Sequence, residues 1–215
     1  MRLIGMLDSP YVRRTAIAAR LLGVAFQHEP LSVFSTFAEF GRINPVVKAP
    51  TLVCDDGTVL MDSALIIDHL ETLAGRSLWP SEPAERLRAL RAVGLALAGC
   101  EKVMQIVYEH HLRPAEKQHA PWLERVNGQL LAALTALDDE IARHPLAAAE
   151  ATLTQAGLSA AIVWRFMQIK LETPVADALG PALAAHAARV EALLAVAQTP
   201  ALETANVSTP GYRAG

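Results

Sequence analysis

Apolar and polar positions follow two different rhythms along this chain, and the change of rhythm divides it. "RLIGML" is a short unbroken apolar run and predicts a buried strand. "PYVRRTAIAARLLG" follows with apolar residues at helical spacing and predicts a helix that ends at Gly23. "AFQHEP" reads as a short strand and "TFAEFGRIN" as a weaker helix. The strongest local signal is "APTLVCDDGTVLM", two β-rich runs joined by Asp55–Asp56–Gly57, which predicts a hairpin. "SALIIDHLETLAG" then predicts a helix with Ser63 at its cap and Gly75 past its end. The predicted order is β-α-β-α-β-β-α.

After "RSLWPSEP" the strand rhythm disappears. Ala- and Leu-rich helical patterns run from Pro83 to about His111, about Glu116 to His144, Thr154 to Leu171 and Pro181 to Ala197. "NVSTPGYRAG" has the composition of a loose tail. The shift across the proline-containing stretch 76–82 predicts a boundary between a small α/β domain, residues 1–75, and an all-helical one, residues 83–205. No internal repeat is visible.

Composition narrows the function classes. With 52% hydrophobic and 19% charged residues over 215 positions, the chain is globular and long enough for a sizeable core. A net charge of −3 argues against a nucleic-acid partner. The seven histidines do not fall near acids or cysteines at metal-ligand spacing, so no metal is expected. Cys54 and Cys100 form neither a CxxC pair nor a disulfide framework, which suits a reducing cytosol. The opening apolar run is too short for a secretion signal, and no stretch reaches the roughly 18 apolar residues of a membrane helix. The expectation is a soluble cytoplasmic protein.

Three junctions carry candidate chemistry. Ser9 stands where the first strand meets the first helix, beside four unpaired N–H groups and the positive end of a helix dipole. There it reads either as a plain cap or as one more hydrogen bond to an anion or thiolate, whose pKa would fall. Lys48–Ala49–Pro50, by itself, reads as a solvated charge before a strand that Pro50 begins. Asp62–Ser63 reads as a capped helix start or as a carboxylate site with an acceptor for an ammonium.

"SPYVRR", "NPVVKAPTLV" and "MDSALIIDHLE", in this order and spacing, resemble the glutathione S-transferase superfamily, in particular its bacterial, serine-type, cytosolic members. The second is similar to that family's NPxGKVPxL segment and the third to its D/E-S-xx-I helix start. The resemblance implies a thioredoxin-like N-terminal domain, an all-α C-terminal domain and a homodimer. It implies that Ser9 activates the thiol of glutathione, the co-substrate. Because Ser9-Pro10-Tyr11-Val12 stands where dithiol relatives carry CxxC, the thiol must be supplied from outside. By the same resemblance, Pro50 is cis and Ala49, where the family more often has valine, holds the cysteinyl backbone. Lys48 meets a carboxylate of the same peptide, and Asp62 and Ser63 read its γ-glutamyl head. The electrophile pocket would draw on Tyr11, Met104, Tyr108 and His111, although a stripe of such residues is also what a helix core looks like.

Arg13 and Arg14 are expected to pair with surface acids or to cross a subunit interface. Trp164, Phe166, Cys54 and Cys100 are expected to be packing residues. One departure concerns stability. The family starts its central C-terminal helix with a Ser/Thr-xx-Asp box, whereas here Thr154 is followed by Gly157. Loss of the reciprocal cap predicts a deficit of about 1 kcal/mol relative to Asp. The expected activity is glutathione transfer to a small hydrophobic electrophile, for detoxification. Two rivals share the scaffold: glutathione-dependent disulfide reduction, and a non-catalytic protein-interaction module like the stringent-starvation regulators that bind RNA polymerase. An isomerase ranks below these, since the SSCSxR-type start is absent.

Overall fold

The computed structural model describes residues 1–172 and 180–201; the "NVSTPGYRAG" tail and the end of the 83–205 segment lie outside them. Four three-residue strands, β1 (Arg2–Ile4), β2 (Gln27–Glu29), β3 (Thr51–Val53) and β4 (Val59–Met61), form one sheet in the order β2-β1-β3-β4. β1 and β2 are parallel, as the crossover through α1 (Pro10–Leu22) demands, and the other two pairings are antiparallel. The register sets Ile4 opposite Thr51 and Thr51 opposite Met61. The end of β1, the start of β3 and the end of β4 therefore lie along one edge of the sheet, the one formed by strand ends rather than by an outer strand. Ser9, Ala49–Pro50 and Asp62–Ser63 continue from those ends.

α2 (Phe37–Ile43) is short, and α3 (Ser63–Ala74) packs against α1. Helices α4 (Pro83–Leu112), α5 (Ala120–Arg143), α6 (Gln155–Lys170), α7 (Pro181–Glu191) and α8 (Leu194–Ala197) account for most of the other described residues. α6 lies against α4, α7 and α1 at once, and from Gln155 to Trp164 every residue is buried. Small residues permit these approaches: a Cβ at Gly99 of α4 would stand 2.8 Å from Val163 Cγ2 on α6. The fold is thus a thioredoxin-like α/β part joined to an all-α part.

At four places the structure differs from what the sequence predicts. The helix expected from Glu116 starts at Ala120, after a 3-10 turn at Ala115–Lys117, because Pro121 fits only the first turn of a helix. The helix expected over Pro181–Ala197 breaks at Leu193, whose backbone is extended. Glu150, distant in sequence, accepts the Leu194 N–H at 3.1 Å and starts the second piece. The cap of α3 is Asp62 rather than Ser63: Asp62 Oδ1 accepts the Ala64 N–H at 2.9 Å, and Ser63 is the first helical residue.

At Gly157 the expected deficit is absent. Thr154 caps α6 as expected, its Oγ1 accepting from the Gly157 N–H at 3.3 Å. Yet a Cβ at 157 would lie 2.9 Å from Leu153 Cδ1 and 3.0 Å from the Ala147 carbonyl oxygen. Glycine is what this close approach of α6 to the preceding loop requires, so the missing aspartate is no deficit.

Candidate functional site

Ser9 adopts an extended backbone (φ −75°, ψ 126°) and caps α1, with Pro10 at the first helical position. Its Oγ accepts from the Val12 N–H at 3.5 Å, well beyond the usual 2.9–3.0 Å. Such a bond leaves the hydroxyl little committed to the helix. Gly23, in the left-handed conformation, closes the other end of α1.

The Ala49–Pro50 peptide, which leads into β3, is cis. The Ala49 N–H and C=O have no hydrogen-bond partner among the described residues, so this edge is open to an extended peptide. Thr51 and Asn44 fix the approach. Thr51 Oγ1 donates to the Lys48 carbonyl at 2.7 Å, and Asn44 Nδ2 donates to Thr51 Oγ1 at 2.8 Å. Lys48 Nζ lies 3.8 Å from Asp62 Oδ2, with both side chains about half exposed. The structure thus brings Lys48, Ala49, Pro50, Asp62 and Ser63 to one edge, next to Ser9. It also gives Lys48 a carboxylate of the protein itself.

The two arginines after Ser9 are not surface residues, contrary to expectation. Arg13 is buried and chelates Glu191, its Nη1 and Nη2 each donating at 2.7 Å, while Nε donates to the Thr199 carbonyl at 2.8 Å. Arg14 is buried as well, and its bonds run to Ser63, Ser159 and Gln155. Asp8, immediately before Ser9, forms a 2.7 Å ion pair with Lys170 at the end of α6. These three side chains fasten the start of α1 to the helical part. Their signal was present in part: helical spacing puts Arg14 on the face of Ile17, Ala18 and Leu21.

The proposed pocket residues divide. Tyr11 is half-buried, and burial pushes its phenol well above the ordinary value, helped by nearby Cys100, Glu101, Tyr108 and Asp62. It therefore stays protonated. Tyr108 is shifted upward too, by burial and by Asp8. Met104 is half-buried against the core. His111 is not drawn in: it is exposed and its Nδ1 bonds the Val107 carbonyl of its own helix at 3.0 Å. A residue the sequence did not flag, Phe34, meets Tyr108 edge-to-face with ring centroids 5.7 Å apart. It comes from the loop before α2, where no periodicity could have marked it. Trp164, Phe166 and Cys100 are buried as expected, and Cys54 is half-buried, 3.7 Å from His69 Nε2.

Among the described residues no cluster of His, Cys, Asp or Glu could hold a metal ion, and no helix is long and apolar enough to cross a membrane. A thioredoxin-like four-stranded sheet with its helices, joined to an all-α part, is the fold of the glutathione transferases. Residues 3–78 match the family model described as "Glutathione S-transferase, N-terminal domain". The chain is 27% identical over 139 residues to YibF, an uncharacterized GST-like protein of Escherichia coli, covering 64% of this chain and 68% of that one. It is 30% identical over 91 residues to glutathione transferase GST 23 of Zea mays, 41% of each chain, and so spans about two fifths of that enzyme. In three dimensions it resembles a glutathione S-transferase of Methylobacterium radiotolerans solved with glutathione sulfonate. The TM-score is 0.84 and the identity 25%, over 97% of this chain and 98% of that one. Residues 3–78 thus carry a glutathione S-transferase N-terminal domain, and the whole chain has the glutathione S-transferase fold.

Proposed function

We propose that the protein is a glutathione transferase in which Ser9 activates the thiol of bound glutathione for attack on a small hydrophobic electrophile. The observation that carries this reading is the shared sheet edge. The Ile4–Thr51–Met61 row sends three chain segments to one place, each offering a different group to a γ-glutamyl tripeptide. Ala49 offers a free backbone N–H and C=O to the cysteinyl residue. Asp62 offers a carboxylate to the ammonium, and Ser63 a hydroxyl to the carboxylate beside it. Lys48 answers a second carboxylate. In the related Methylobacterium enzyme a glutathione derivative is the bound ligand.

Ser9 would act by donating its O–H to the sulfur once the thiol proton has left to solvent, with the N-terminus of α1 favouring the negative charge. The thiolate then forms a carbon–sulfur bond as the electrophile's leaving group departs, or adds across an activated double bond. Tyr11, Tyr108, Met104 and Phe34 offer that electrophile an apolar wall with two neutral phenols. In this reading residues 1–75 bind glutathione and residues 83–205 shape the second pocket. A cytoplasmic homodimer belongs to the same proposal. Its support is the exposure of Leu65 and Leu73 on α3 and of Leu87 and Leu90 on α4.

Calorimetric titration of glutathione into the wild type and Ser9→Ala, with an ultraviolet scan for thiolate absorbance, tests the reading. Both proteins are expected to bind, and only the wild type to show thiolate. A wild type that does not bind glutathione overturns the site; thiolate retained in Ser9→Ala overturns the role of Ser9. A thioether product supports transfer, whereas glutathione disulfide as product would mark disulfide reduction.

A further inference from the structure

Arg13 and Arg14 are equally buried neighbours with opposite electrostatic circumstances. Arg13 is neutralised by both oxygens of Glu191. Arg14 is 1% exposed, yet its partners are all uncharged: Ser159 Oγ at 3.0 Å, Ser63 Oγ at 3.1 Å and Gln155 Oε1 at 3.0 Å. Among the described residues no carboxylate stands within ion-pair distance of it. A buried cation without a counter-ion is costly to keep. Burial indeed lowers the Arg14 pKa, to about 10, with Asp62 and Glu71 acting in the other direction.

The Ser63 hydroxyl shows where the missing anion belongs. A hydroxyl has one proton and two lone pairs. Arg14 Nη1 occupies a lone pair. Among the described residues the proton has no acceptor, and Ser63 opens α3, where the helix dipole favours negative charge. The guanidinium and the N-terminus of α3 meet at Ser63, which follows directly on the end of β4. A second buried group nearby is also unpaired: Gln155 Nε2, on the amide that accepts from Arg14.

We propose that Arg14 is a positioning residue for the carboxylate of a ligand's amino-acid head. It acts through Ser63, fixing the hydroxyl so that its proton points to the ligand, and it supplies the charge that this carboxylate completes. The inference rests on the reading of this edge as a glutathione site. Because the same guanidinium holds Ser159 and Gln155, the amino-acid head is read jointly by α3 and α6, two helices from different halves of the chain.

The test compares glutathione with its decarboxylated analogue, 4-aminobutanoyl-cysteinyl-glycine, which lacks only that carboxylate. The readout is the ratio of the two Kd values by calorimetry. The wild type should prefer glutathione at least tenfold, as expected for a charge-assisted hydrogen bond in a desolvated site. Ser63→Ala and Arg14→Lys should each reduce the preference severalfold, and the double variant should lose no more than either alone. A purely structural role for Arg14 weakens both ligands by the same factor and leaves the ratio unchanged, which overturns the proposal. Gln155→Glu covers the case in which Arg14 variants do not fold. It keeps Arg14 and Ser63 but gives the guanidinium an internal carboxylate, so the preference should again fall; an unchanged ratio refutes the proposal. Wild-type protein that binds neither ligand removes the glutathione site itself, and this inference with it.

Discussion

Gly157→Asp should destabilise the protein, although the local sequence rule says the opposite. The gain is easily stated. An aspartate would complete the capping box with Thr154 and remove a glycine from a helix start, together worth about 1–2 kcal/mol. The cost follows from the neighbours. A Cβ would overlap Leu153 Cδ1 at 2.9 Å and, less forgivingly, a backbone carbonyl oxygen, that of Ala147, at 3.0 Å. Overpacking of this kind costs about 1–3 kcal/mol. The same clash would keep the carboxylate from the Thr154 N–H, so the capping gain is forfeited and only the glycine contribution of about 1 kcal/mol remains, while holding the carboxylate near a carbonyl oxygen costs about 1 kcal/mol more. The balance is a loss of about 2 kcal/mol. At a urea m-value of about 2 kcal/mol/M, the unfolding midpoint should fall by about 1 M. Gly157→Ala isolates the Cβ from the charge and should lose less. A midpoint for Gly157→Asp equal to or above that of the wild type would refute the packing argument.

Two further predictions concern buried charge. His186 Nε2 donates to the Gly157 carbonyl at 2.9 Å and its Nδ1 is buried without a partner; burial and then Arg189 hold its pKa below the ordinary value. The unfolded chain therefore takes up a proton near pH 6.5 that the folded one refuses, so stability is full above about pH 6.5 and declines as pH falls below it. Urea midpoints of the wild type and His186→Gln at pH 7.5 and 5.5 should show a shallower decline in the variant; parallel declines would contradict the assignment. Glu191→Met leaves the Arg13 guanidinium buried with only the Thr199 carbonyl, a loss of about 3 kcal/mol. That corresponds to a Tm lowered by about 6–12 °C. Adding Arg13→Met should recover part of it, and no recovery would mean that the pair contributes through packing alone.

The strands and helices were legible because each writes its period into local sequence. The hairpin at Asp55–Asp56–Gly57 and the caps at Ser9, Gly23, Thr154 and Gly75 are set by residues within a turn of the feature they control. Legibility failed where a distant residue decides. Glu150 breaks what reads as one helix at Leu193, and the loop at Ala147 makes glycine the right residue at 157. The burial of Arg14 is hidden for a related reason. A polar residue in an apolar pattern is ordinarily assigned to solvent, yet α1 is enclosed by α3, α6, α8 and β1 and has almost no solvent face. The candidate site was readable as a set of junctions. Its supports, Arg14 under Ser63 and Phe34 against Tyr108, join segments too far apart in sequence for any motif to contain.

The fastening of α1 bears on how freely the two halves of such a protein could be exchanged in evolution or by engineering. Asp8, Arg13 and Arg14 reach Lys170, Glu191, Ser159 and Gln155. A graft that moved residues 1–75 onto another helical partner would have to bring those four positions along or leave two guanidinium groups unanswered. The seam between the halves is chemically keyed, and new specificities are more accessible by changing side chains along the cleft than by shuffling whole modules.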